Sequence, residues 1–178
     1  IPLRLVGSEM CIRDRIAIDP LRQLLTSKDP WIVINAAFAL GQIGHPAARA
    51  VEELAVLLDS ADHRVVRAIL ESIACIGSHT EAALPAIKKI LRTDRENWRQ
   101  DLDLPYLVGD QIHFNAALAL LSSDLPITVM EDFLLELLDR PTARNFVQAI
   151  ALEVLLRNPS ESSLPQVLKY LQVHCWDD

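Results

Sequence analysis

Aromatic residues are scarce in this chain, at 5 % of its 178 residues. A buried core must therefore be built from Leu, Ile, Val and Ala, which favours helix packed on helix over a β-sandwich. Long apolar runs are also missing. No stretch of about 18 apolar residues occurs, so no membrane-spanning helix is expected. Basic residues are in deficit, 17 Lys and Arg against 24 Asp and Glu, for a formal charge of −7. That balance argues against a phosphate-tracking surface and so against nucleic acid as a partner. Cysteines number three, Cys11, Cys75 and Cys175, too few and too scattered for a disulfide framework or a zinc site. They fit a reducing compartment, and a cytoplasmic location is expected. What the chain does have is a hydrophobic content of 51 %, enough for a substantial core and against disorder.

The first fifteen residues, IPLRLVGSEMCIRDR, follow neither a helical nor a strand period and lack the apolar stretch of a signal peptide. The segment resembles a string found at the ends of translated environmental sequences, where sequencing adaptor has been read as protein. It is expected to be a non-native arm. Leaving out Arg4, Arg13 and Arg15 against Glu9 and Asp14 makes the charge −8, so the acidic balance stands.

The remainder repeats itself. DPWIVINAAFALGQIG, Asp29–Gly44, aligns without a gap on DHRVVRAILESIACIG, Asp62–Gly77, and the same shift carries Leu24–Leu25 onto Leu57–Leu58. That shift, Gly44 to Gly77, is the period of the repeat. A third copy opens at ALPAIKKILRTD and resumes at QIHFNAALALL. There Asn115 answers Asn35 after two periods and an inserted stretch. A fourth runs from Met130 to Pro159, and SSLPQVLKYLQV begins a fifth. Each copy reads as two helices. Asp19–Pro20 and Asp29–Pro30 carry the acidic N-cap and first-turn proline of a helix start; Asp62, Asp110 and Thr142 take the cap position in later copies. Val33, Ala36, Ala37, Leu40 and Ile43 form an apolar stripe, matched by Val66, Ile69, Leu70, Ile73 and Ile76, and by Ile112, Ala116 and Leu120. Repeats are expected over about 17–44, 46–77, 80–123, 126–158 and a half repeat at 162–174, with an insertion at about 95–109.

The one glycine-rich motif, Gly41-x-x-Gly44, raises the question of a phosphate loop. Such a loop follows a strand and needs several glycines. Here the motif closes a helix, and only Gly44 recurs, as Gly77, while Gly41 becomes Ala74. Gly44 and Gly77 are expected to be left-handed helix ends, and Gly41 a point of close helix approach.

The pattern Asp-x-x-x-Val, Ala-Ala, Ala-Leu-Gly-x-Ile-Gly, best displayed by DPWIVINAAFALGQIG, resembles the HEAT repeat, in the variety named for phycobilin-lyase-like proteins. The resemblance spans about residues 17–173. It implies an all-α, right-handed α-solenoid of stacked antiparallel helix pairs, about four and a half repeats. It also implies a non-catalytic scaffold whose concave surface binds a protein or peptide. Two alternatives follow from the same resemblance: an accessory subunit of a bilin chromophore lyase, or the regulatory HEAT region of a larger enzyme. The family's arginine after the Val is kept only as Arg67; Ile34, Phe114 and Gln148 stand in its other places. With half a repeat at one end and adaptor-like sequence at the other, the chain is expected to be a fragment of a longer array.

Nothing in the sequence assembles a catalytic group, a metal site or a cofactor site. His45, His63, His79, His113 and His174 never share a helix at i, i+4, and are expected in loops or at rims. Cys75 is expected to pack as a small helix residue. Glu52, Glu53, Asp59, Glu71, Glu131, Asp132 and Glu136 are expected on solvated helix faces. Two surfaces stand out as partner sites. One is the polar face of the second helices: Asn35, Arg64, Arg67, Glu71, Asn115, Arg144 and Gln148. The other is the insertion, with Trp98 and Tyr106 among charges, since long excursions carry function more often than plain connectors do.

Overall fold

A computed structural model describes residues 16–93, 105–140, 145–157 and 159–174, with side chains for all of these except 105–110 and 174. Among the described residues there is helix and no strand. Helix α1 covers 16–24. It is followed by α2 (Pro30–Ile43), α3 (Val51–Leu57), α4 (His63–Ile76), α5 (Leu84–Arg92), α6 (Pro105–Leu121), α7 (Ile127–Asp139), α8 (Asn145–Arg157) and α9 (Leu164–His174). Short 3-10 turns, His45–Ala50 and Thr80–Ala83, lead into α3 and α5.

The expected caps decide where two of these helices start. The carboxylate of Asp29 accepts from the backbone N–H of Trp31 at 2.9 Å, and Asp62 does the same for Arg64 at 2.9 Å. Each satisfies an N–H that helix geometry leaves without an internal partner. Two other caps fall elsewhere. Asp19 and Pro20 lie inside α1, and Asp19 pairs instead with Arg22 and Arg49. Asp110 lies inside α6, whose helix begins at Pro105; the end of the expected insertion, 105–109, is therefore helical. Thr142 is outside the described residues.

The second helices form one layer, α4 packing on α2 and α6, and α6 on α8; the first helices form the other. The predicted stripes lie between them. Val33, Ala36, Ala37 and Leu40 are buried and Ile43 is half-buried. Val66, Ile69, Leu70, Ile73 and Ile76 are buried, as are Ile112, Ala116 and Leu120. A large aliphatic side chain contributes about 1.5–3 kcal/mol on full burial, so these rows, rather than propensity, hold the helices together. No single pair could bury its row alone, because each stripe needs the helix of the next copy.

Both repeat glycines have positive φ, though in different basins. Gly77 sits at φ 64° and ψ 11°, the left-handed helical end expected of it. Gly44 has φ 71° but ψ −142°, an extended conformation that a Cβ would oppose more strongly still. Gly41 is buried in α2 against α4, where a Cβ would come within 3.0 Å of the Ser72 Cα.

Candidate partner-binding face

The side of the second-helix layer turned away from the first helices is built from positions three and four apart. On α2 these are Trp31, Asn35, Phe38 and Gln42, all exposed; on α4 they are Arg64, Arg67, Glu71 and Cys75, also exposed. On α6 Gln111 and Phe114 are exposed while Asn115 and Leu118 are half-buried. Side chains at this spacing share one helix face. The helices' parallel stacking then sets the three faces side by side.

Contacts between the copies join them into one surface. The Arg64 guanidinium stands 5.3 Å from the centroid of the Trp31 ring, a cation–π contact from α4 to α2. Arg64 also donates to both oxygens of Asp62, at 3.1 and 2.8 Å. Those hydrogen bonds hold the Asp62 carboxyl below its ordinary pKa, against the opposing effect of partial burial. Arg67 donates to Gln111 Oε1 at 2.8 Å, and Asn115 donates back to the Arg67 carbonyl at 3.4 Å. Arg67 thus meets a neutral amide and, among the described residues, forms no ion pair with a carboxylate. Phe114 contacts Phe146 edge-to-face, ring centroids 5.7 Å apart, extending the surface to α8.

Of the residues singled out in sequence, Asn35, Arg64, Arg67, Glu71 and Asn115 come together here. Gln148 has a different setting. It is half-buried, its amide donating to the carbonyls of Leu138 and Arg140 at 3.1 and 3.3 Å while its oxygen accepts from Tyr170. It closes the C-terminal end of α7. Trp98 and Arg144 lie outside the described residues, as does the side chain of Tyr106. Two further expectations are corrected. His113 is buried, Nε2 3.1 Å from the Ile90 carbonyl, because its position on α6 faces α5 rather than the rim. Cys75 is exposed, on the open face of α4 rather than packed.

Sequence reasoning missed three members, Trp31, Phe38 and Phe114, which are 59 %, 53 % and 43 % exposed. A signal was present. Trp31 and Phe38 fall one repeat period before Arg64 and Glu71, and a place occupied by a charge in one copy is a surface place in the next.

Residues 18–102 match the family described as HEAT repeats. The match supports a HEAT-repeat protein, and the helical pairs described above agree with an α-solenoid. HEAT repeats generally mediate protein–protein interaction and are generally non-catalytic. No curated protein matches the chain. Among the described residues no helix is long and apolar enough to cross a membrane, and no group of three His, Cys, Asp or Glu is placed to hold a metal ion.

Proposed function

We propose that the open face of α2, α4 and α6 is the docking surface of a non-catalytic, cytoplasmic scaffold, and that it receives a segment of a partner protein. The observation that carries this is the exposure of Trp31, Phe38 and Phe114 on the same three helix faces as Arg64 and Arg67. Large aromatics interleaved with arginine are the residue types that dominate binding energy at protein interfaces. Neither a bilin-lyase accessory role nor an enzyme-tail role has a feature of its own among the described residues.

Selection of a displayed random-peptide library on the full chain tests the reading. Enriched peptides should lose at least ten-fold in affinity on the double variant R67E/F38E, whose melting temperature stays near that of the parent because both positions are exposed. Peptides that bind the variant as well as the parent would overturn it.

A further inference from the structure

The layer of first helices carries a second surface, set apart from the docking face. Neighbouring first helices are bridged by long cationic side chains at one repeat position. Arg22 on α1 reaches Glu53 on α3, its Nε donating at 2.9 Å. Lys88 on α5 reaches α7, its Nζ 5.3 Å from the centroid of the Phe133 ring and 3.4 Å from the Val129 carbonyl. Arg22 and Lys88 stand two repeat periods apart, and the equivalent place in the copy between them is Ala55. The acceptor position answers it: one period after Glu53 stands Ala86.

At the α3–α5 junction both of these positions are methyl groups, and the bridge that remains there runs from Lys89 to Asp59. A groove of about 460 Å³ opens there, with Ala55, Ala86 and Val56 on its walls. Val56 is 75 % exposed. Two carboxylates line the groove, Glu52 on the first turn of α3 and Asp59 in the turn that follows the helix, together with Lys89 of α5. Asp59 is taken by Lys89 at 2.7 Å. Glu52 makes no ion pair among the described residues, since Lys89 of the same groove is paired with Asp59.

We propose that this groove is a socket for a lysine or arginine side chain carried by a partner protein. The alkyl stem lies on Ala55, Val56 and Ala86, and the cationic head meets Glu52. The incoming side chain supplies from outside the bridge that Arg22 and Lys88 supply from within. Aliphatic walls with a carboxylate at one end suit a long cation, whose stem is apolar and whose tip is charged. An acidic or purely apolar side chain meets only part of that surface.

Butylguanidinium, a guanidinium on a short alkyl chain, is the probe, titrated into the isotope-labelled full chain and followed by amide chemical shifts. Saturable shifts are expected at Ala55, Val56 and Ala86. Glu52→Gln should weaken them about three-fold, the range of an exposed ion pair. The double variant A55R/A86E, which rebuilds the Arg22–Glu53 bridge at this junction, should abolish them without lowering the melting temperature. E52Q, at an exposed position, keeps the test decisive if the double variant does not fold. Absence of saturation at these amides would overturn the proposal. So would equal affinity for butanol or pentanoate, or shifts unchanged in either variant. None of these residues belongs to the open face of α2, α4 and α6, so the outcome is independent of the docking reading.

Discussion

A Cβ on Gly41 of α2 would stand 3.0 Å from the Cα of Ser72 on α4. The two helices touch there backbone to backbone, and Ser72 itself is buried with its hydroxyl donating to the Ala68 carbonyl at 2.7 Å. Two effects compete in Gly41→Ala. Helix propensity favours alanine by about 1 kcal/mol, while forcing an atom into a packed contact costs about 1–3 kcal/mol. The obstacle is main chain and cannot rotate aside, so the contact wins. G41A should lower the melting temperature by several degrees, read by thermal denaturation, and an unchanged or raised value would show that the helices can part without penalty.

Ile32 and Ile112 occupy the same repeat position but differ in burial. Ile112 on α6 is fully buried behind α4, as is Val65 on α4 behind α2, whereas Ile32 on α2 is 39 % exposed. Truncating a buried isoleucine to alanine costs about 2–5 kcal/mol, through lost transfer energy and the cavity left behind. Ile112→Ala should reach that range and Ile32→Ala should cost about half of it or less, measured by urea denaturation. Equal losses would mean that the repeat position, rather than its neighbour, sets the energy.

Asp62 and Glu136 are both held below the ordinary carboxylate pKa, Asp62 by hydrogen bonds from Arg64 and Glu136 by those from Arg92, at 2.8 Å from its Nε. A depressed folded-state pKa gives stability that is complete above the unfolded value, about 4, and is lost as pH falls through the lower folded value. The melting temperature should therefore be flat between neutral pH and about pH 5 and fall below about pH 4. The double variant D62N/E136Q should show a shallower acid limb, since asparagine keeps the cap but cannot titrate. An identical acid limb would place the sensitivity in other carboxylates.

Gln148 belongs by sequence to the polar face of the second helices, yet its amide serves the end of α7. Gln148→Ala leaves the Leu138 and Arg140 carbonyls without that donor, at a cost of about 1 kcal/mol. Peptides selected on the open face should bind Q148A as they bind the parent. A loss of binding at unchanged stability would restore Gln148 to the site.

Much of the fold was legible because it rests on short spacings. The stripe from Val66 to Ile76, the caps at Asp29 and Asp62, and the closing Gly77 are patterns within a few helical turns, and each appears in the helices as read, while Gly44 closes its helix at positive φ in a different basin. Asp19 and Asp110 went astray because a cap is a signal only where the helix before it has not already begun. The site was less legible. Arg64, Arg67 and Asn35 could be placed on a polar face, but Trp31, Phe38 and Phe114 were passed over because aromatics at helical spacing ordinarily mark a core. His113 and Cys75 changed places for a related reason: a small rotation about the helix axis exchanges core and surface, and one sequence has no fixed origin for that angle.

Residue order by itself determined the helix pairs, the period at which they recur and the faces they bury, because hydrophobic periodicity and capping act between near neighbours in the chain. Only the tertiary structure decided which side chains span the junctions: Arg22 to Glu53 and Lys88 to Phe133, with Ala55 and Ala86 leaving the place between them open. Those pairings join residues far apart in the chain. Their partners are chosen by how the helices stack, which no local pattern specifies.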